Sequence, residues 1–244
     1  MRKLVHFLVV TLAVCDLSAQ SEKPAWDYPT KPGMEEWNRP KTEQERINVL
    51  QVPESVLEKL SPDEVVQLCI TFPSFGHFFY YNTPQKGFEV MLSRYNIFKH
   101  LLSRKDVGRY LIDAYKDASL SGFKTLPYSN EFWTIKFHYL ELLISQKEIL
   151  QSLTSEEKLD LISEARLKYA EKINNEGFAS IPTFLFSIRL MTRILDMEKY
   201  LDSSLSSNKH FNTALINEGW SDVEMEPIEE VVRITDNFIN SKKK

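Results

Sequence analysis

The residues best suited to contact a ligand lie in the segment Thr71–Pro84, which reads TFPSFGHFFYYNTP. Pro73 and Gly76 oppose one long helix, so the rings must surround a bend or a short helix. Buried rings would seal helices together, whereas exposed rings could stack on a sugar or contact a partner protein. Rings this close in sequence cannot all point inward, and we expect a mostly buried segment with Tyr80 or Tyr81 exposed. Together with a second aromatic bend, the candidate binding residues are Phe75, His77, Phe78, Tyr80, Tyr81, Tyr128 and Trp133.

A second candidate site is polar and lies on a predicted helix over residues 129–152. His138 and Glu141 are three residues apart and share a helix face, a spacing that can hold a metal. A metal would also need ligands from another helix, and the sequence does not identify any, so we predict no metal and no cofactor. The opposite side of the helix is apolar, and we therefore interpret the polar stripe as solvent-facing. The stripe comprises Glu131, Thr134, His138, Glu141, Ser145 and Glu148.

Catalytic motifs are missing from the sequence. It contains no Gly-x-Ser-x-Gly elbow, no His-Glu-x-x-His, no phosphate-binding glycine loop and no Cys-x-x-Cys pair. The 34 acidic residues allow too many combinations for a catalytic carboxylate pair to be chosen. We therefore expect a non-catalytic interaction or structural protein that binds a protein or a glycan through an aromatic surface. Two alternatives stay open: a hydrolase that uses carboxylates or His138 in a cleft, and a helical carrier with an apolar cavity.

Charge and cysteine content narrow the possible partners. The formal net charge of −4 argues against nucleic-acid binding, which depends on a basic footprint. Of the two cysteines, Cys15 falls in the N-terminal segment that we expect to be removed. Cys69 lies in an apolar run and is predicted to be a buried, inert thiol, so the fold must be stable without a disulfide.

The first 19 residues have the pattern of a secretory signal peptide. Two cations precede the apolar run Leu4–Val14, which is roughly half the length needed to cross a bilayer, so we predict cleavage after Ala19 and no transmembrane segment in the mature chain. A lipid anchor on Cys15 is the competing interpretation, but Val14 is larger than the small residue such signals place there. The expected destination is the periplasm or the extracellular space, with an unknown envelope protein or glycan as partner.

Behind the signal, the sequence predicts a leader at residues 20–41 and one all-helical domain at residues 42–244. The leader is rich in proline, yet it contains Trp26 and Trp37, which we expect to pack on the domain. Capping boxes beginning at Ser61 and Thr154 mark helix starts. The predicted helices are 42–51, 53–60, 62–71, 84–102, 104–117, 129–152, 155–174, 181–201, 208–217 and 226–240.

These elements predict an all-α fold, an irregular multi-helical bundle or array of about eight to ten helices. Two segments that match at an offset of 93 residues leave an α-solenoid-like helical repeat as the alternative. Helix 181–201 is unusually apolar, but Arg189 and Arg193 interrupt it, so we interpret it as a core helix rather than a membrane span. We expect these arginines to meet acidic neighbours, with anion binding in a cleft as the other possibility.

The signal ending Leu17-Ser18-Ala19-Gln20, the leader with its tryptophans and prolines, and the run from Pro40 to Pro53 together carry a resemblance. In these features the chain resembles small exported all-helical proteins of Bacteroidetes that have no assigned function. The resemblance covers the first third of the chain and implies export and helicity. It implies no site residue.

Overall fold

The computed structural model describes residues 26–118, 130–174, 181–201 and 225–242. Within these ranges all regular secondary structure is helical, which confirms the all-α class and the array of packed helices. Short 3₁₀ helices occur at Glu35–Asn38 and Phe75–Tyr80. The α-helices are α1 (Glu43–Val49), α2 (Glu54–Leu57), α3 (Pro62–Ile70), α4 (Pro84–Arg94), α5 (Asn96–Ser103), α6 (Gly108–Asp117), α7 (Asn130–Ile144), α8 (Lys147–Ser152), α9 (Ser155–Ile173), α10 (Ile181–Met197) and α11 (Met225–Lys242). The predicted signal peptide and helix 208–217 fall outside the described residues.

The two predicted capping boxes are confirmed. Ser61 accepts the amide of Glu64 at 3.3 Å and its own amide donates to the Glu64 carboxylate at 2.8 Å. The same reciprocal bonds join Thr154 and Glu157 at 3.2 and 2.9 Å. Each box satisfies amides that a helix start leaves unpaired, and because its bonds are local, the sequence alone identifies it.

The predicted helix 84–102 is interrupted at Tyr95, where the backbone is extended (φ −120°, ψ 123°). Gln51 stabilises the break from outside, because its side chain accepts the Asn96 amide at 3.1 Å and donates to the Arg94 carbonyl at 2.9 Å. The single predicted helix was therefore wrong. A glutamine 45 residues away in sequence supplies the hydrogen bonds that a continuous helix would have made internally.

The predicted helix 129–152 is interrupted in the same way, at Ser145 and Gln146. Gln146 is extended (φ −64°, ψ 141°), and the side chain of Arg193 donates to the Ser145 carbonyl at 2.6 Å. The guanidinium thus satisfies an acceptor that the end of α7 leaves open. The predicted start at residue 104 was also wrong, since α6 begins at Gly108.

Helix α10 is the central element of the array and packs on α7, α9 and α11. Five of its described apolar side chains are completely buried, as expected for a core helix: Ile188, Leu190, Met191, Ile194 and Leu195. Among the described helices, none has both the length and the apolar character required to cross a bilayer.

The leader packs on the domain through its aromatic residues, as predicted. Trp26 and Trp37 lie against the hydrophobic core, and Tyr28 is 3% exposed with its hydroxyl donating to the Leu68 carbonyl at 3.1 Å. Cys69 is completely buried, which confirms the prediction of a buried thiol, and burial raises the pKa of that thiol, as expected for an unreactive cysteine.

Candidate functional site

The aromatic segment, Phe72–Tyr81, contributes most of its rings to the core. Phe72 and Phe78 have no exposed surface. Phe78 lies between Phe79, with ring centroids 4.1 Å apart, and Tyr139 of α7, at 5.9 Å. Tyr139 in turn donates to the Cys69 carbonyl at 2.8 Å. The prediction of a mostly buried segment is confirmed, and Phe78 belongs to the core rather than to the exposed part of the segment.

Helix α4 holds the aromatic segment in place through a close approach at Gly87. A methyl group at this position would lie 2.5 Å from the Phe78 Cα and would overlap the Phe78 carbonyl. Thr83 caps α4 by accepting the Lys86 amide at 3.0 Å, and Pro84 occupies the first turn. Because no side chain separates α4 from the segment, the 3₁₀ turn is fixed against the helix backbone.

Tyr80 is the exposed member of the segment, with 81% of its surface accessible. Its ring lies 5.5 Å from that of half-buried His77. Burial lowers the pKa of His77, and the positive charges of Arg46 and Arg94 lower it further. Helices α1 and α4 therefore bring their arginines close enough for their charges to act on the imidazole.

The arginines lie on a surface that combines several parts of the chain. Arg46 of α1 stacks over the Trp37 ring with its guanidinium carbon 4.7 Å from the ring centroid. Arg94 of α4 forms an ion pair with Glu43 at 2.6 Å. We call the set formed by Trp37, Arg46, His77, Tyr80, Tyr81 and Arg94 the aromatic–arginine surface.

The sequence identified part of this surface. His77, Tyr80 and Tyr81 were predicted binding residues, whereas Trp37, Arg46 and Arg94 were missed because only the fold brings them to the aromatic segment. The tryptophan in the leader was the available signal. Phe75 is half-buried beside Tyr139, with ring centroids 5.6 Å apart. The remaining two candidates, Tyr128 and the side chain of Trp133, lie outside the described part of the chain.

The predicted polar stripe is buried at three of its members, so the solvent-facing interpretation was wrong for them, whereas Glu148 on α8 is exposed and the Glu131 side chain lies outside the described part of the chain. His138, Glu141 and Ser145 are 4%, 1% and 4% exposed. His138 stacks on Phe186 of α10, with ring centroids 4.5 Å apart and planes 6° from parallel. These three residues contact α10, where Phe186, Ser187 and Arg193 are their partners, which the pattern of α7 alone cannot reveal.

Glu141 forms the centre of a buried polar cluster. Its carboxylate accepts from Lys172 of α9 at 2.6 Å, from Ser187 of α10 at 2.5 Å and from Tyr115 of α6 at 2.8 Å. Burial lowers the pKa of Lys172, whereas Glu141 opposes that shift. The cluster therefore joins four helices through one carboxylate.

In the same cluster the Lys172 ammonium donates to the Ser187 hydroxyl at 3.0 Å. A serine and a lysine in contact can act as nucleophile and base once the lysine has lost its proton and a substrate reaches them. Here the side chains of Lys172, Ser187 and Glu141 have no exposed surface. Across the described residues, no group of three histidine, cysteine or acidic side chains has an arrangement that could hold a metal.

A groove of about 530 Å³, lined by both polar and apolar residues, lies where α4, α8 and α10 meet. Arg193 lines it and donates to the Ser145 carbonyl and hydroxyl at 2.6 and 3.2 Å. Gln85 and Gln146 join their amides across the groove at 3.0 Å. These polar groups hold the α7–α8 junction in place. Arg193 thus contacts a carbonyl and a hydroxyl, and the acidic residues Glu89 and Asp196 line the same groove.

Comparisons with protein-family models, with curated proteins and with solved structures each gave no match.

Proposed function

We propose that this chain is a helical interaction protein that binds a partner through the aromatic–arginine surface. The observation that carries the proposal is the 81% exposure of Tyr80, next to half-buried His77. Tyrosine, tryptophan and arginine are the residues that most often dominate binding energy at protein interfaces. An exposed tyrosine offers a large apolar area and a polar hydroxyl, and it loses little conformational entropy when a partner covers it.

The backbone that carries Tyr80 is held firmly by its neighbours, and this favours a role for Tyr80 in binding. The segment before it is anchored by completely buried Phe78, and α4 contacts the Phe78 backbone directly at Gly87. A side chain presented from a fixed backbone pays less ordering cost on binding than one in a mobile loop.

The pattern of the first 19 residues supports export, and we propose that the partner is an envelope protein or glycan of the periplasm or extracellular space. An enzymatic role has less support. Ser187 and Lys172 are in contact but have no exposed surface, so a substrate has no access to them.

The test is affinity capture of envelope partners with the mature chain and two single variants. Tyr80→Ala removes the exposed ring, and Tyr110→Ala is the matched control because Tyr110 is 41% exposed and lies on α6. We expect one protein or glycan to be recovered with the wild type and with Tyr110→Ala. Loss of a hot-spot tyrosine weakens binding by roughly thirtyfold, so Tyr80→Ala should recover far less.

Two results would contradict the proposal. One is equal recovery of the partner by the wild type and both variants. The other is turnover of a glycan or peptide substrate that persists in Tyr80→Ala, since that would indicate an enzyme acting elsewhere on the chain.

A further inference from the structure

We infer that the aromatic–arginine surface binds an acidic peptide segment, whose carboxylate pairs with Arg46 beside Trp37 while Tyr80 and His77 flank the chain. This inference rests on the proposed function and adds the chemistry of the partner. Its basis is the stacking of Arg46 on Trp37 and the lack of a carboxylate partner for Arg46 among the described residues.

Arg46 is half-buried, and its side chain makes no hydrogen bond and no ion pair with any other described residue. Other arginines of the chain are paired with carboxylates: Arg94 with Glu43 at 2.6 Å, and Arg166 with Asp236 at 2.9 Å. Arg46 instead lays the face of its guanidinium over an indole at 4.7 Å.

Stacking on Trp37 orients the guanidinium and engages its face, whereas the five N–H donors point along its edge. A carboxylate is the group that matches this edge, because two parallel N–H···O bonds can form at once. Arg46 is therefore oriented for an acidic side chain that the described part of the chain does not supply.

The electrostatic field at this surface also favours an anion. Glu43 lies nearby on α1 but is already paired with Arg94. At His77, Arg46 and Arg94 both act more strongly than Glu43, and the two arginines lower the pKa of the imidazole as burial does. Among the charges that act on His77, the two arginines therefore outweigh Glu43, and an anion placed beside this imidazole would be favoured.

A short acidic peptide fits this field better than an extended polyanion. The whole chain has a net charge of −4, and overall repulsion grows with the number of negative charges on a ligand, so it disfavours a nucleic acid, a sulfated glycan or an anionic bilayer more than a short peptide with few carboxylates. A short peptide segment can place one carboxylate beside the arginines, and its apolar atoms can pack on the rings of Trp37 and Tyr80.

The test uses the mature chain with an end-blocked oligoglutamate peptide, followed by NMR of the Trp37 indole and the His77 imidazole. We expect oligoglutamate to shift both signals and to raise the pKa of His77, because a nearby anion favours the imidazolium. Oligoglutamine of the same length should do neither. Arg46→Gln should weaken oligoglutamate binding roughly tenfold, which is the usual effect of losing a charge-assisted pair.

Arg109→Gln is the matched control, since Arg109 is an exposed arginine paired with Asp113 at 3.0 Å and Asp160 at 3.2 Å. The inference is overturned if Arg46→Gln binds oligoglutamate as the wild type does, or if no peptide shifts the signals. It is also overturned if a sulfated oligosaccharide or anionic phospholipid vesicles shift them and oligoglutamate does not.

The same variants separate this inference from the proposed function. If capture of the natural partner depends on Tyr80 but is unchanged in Arg46→Gln, the surface binds a partner and the acidic chemistry is wrong. If capture depends on neither residue, both proposals fail.

Discussion

Replacing Lys172 with methionine tests the buried polar cluster that joins α6, α7, α9 and α10. Methionine keeps the length and apolar stem of lysine but removes the ammonium group. In the variant, Glu141 stays 1% exposed and retains the hydroxyls of Ser187 and Tyr115, at 2.5 and 2.8 Å. The carboxylate loses the cation that lies 2.6 Å from it.

The expected loss of stability is large. Removing one partner from a buried ion pair leaves an uncompensated charge and costs about 3–5 kcal/mol. Total stabilities of small domains are about 5–15 kcal/mol, so this loss is a large fraction of the total free energy of unfolding. Adding Glu141→Gln to this variant removes the unpaired charge, and we expect the double variant to regain much of the loss.

The assay is urea unfolding followed by far-UV circular dichroism at neutral pH. Lys86→Met is the control, because Lys86 pairs with Glu89 at 3.1 Å while their side chains are 62% and 51% exposed. An exposed pair of this kind contributes less than about 1 kcal/mol. Equal losses in Lys172→Met and Lys86→Met would refute the reasoning, as would a double variant less stable than Lys172→Met.

Two further predictions concern the site and the core. Gly87→Ala should destabilise the protein by about 1–3 kcal/mol and weaken partner capture, because the new methyl group overlaps the Phe78 carbonyl; unchanged stability and capture would contradict the close packing there. Burial raises the pKa of Cys69 above 9.0 and that of Tyr115 above 10.0, so the unfolded chain ionises first and the free energy of unfolding should fall above about pH 9. The slope is about 1.4 kcal/mol per pH unit for each group, measured by urea unfolding at increasing pH, and Cys69→Ala should delay the fall to about pH 10.

The local features of the fold could be predicted from the sequence, and the features that depend on distant partners could not. The box of Ser61 and Glu64 spans three residues, so its pattern is visible in the chain. The break at Tyr95 carries no proline or glycine, and its hydrogen bonds come from Gln51. A helix period alone therefore predicted one helix where the structure has two.

The burial of polar residues on α7 could not be predicted from the sequence either, because it too depends on distant partners. Polar residues on one helix face usually indicate solvent, and Glu141 fits that pattern. Its partner Lys172 lies 31 residues further along the chain, and only the packing of α9 on α10 brings it into contact. The candidate site has both kinds of feature. An exposed Tyr80 was expected because so many aromatic residues close together in sequence cannot all be buried, whereas the position of Arg46 beside them could be seen only in the folded structure.

The most direct test of the account is hydroxyl-radical footprinting of the mature chain with and without its captured partner. We expect Tyr80, Trp37 and His77 to become protected in the complex, while Tyr110, exposed on α6, reacts equally in both states. Protection of Tyr110 with unchanged reactivity of Tyr80 would contradict the claim that the aromatic–arginine surface is the binding surface.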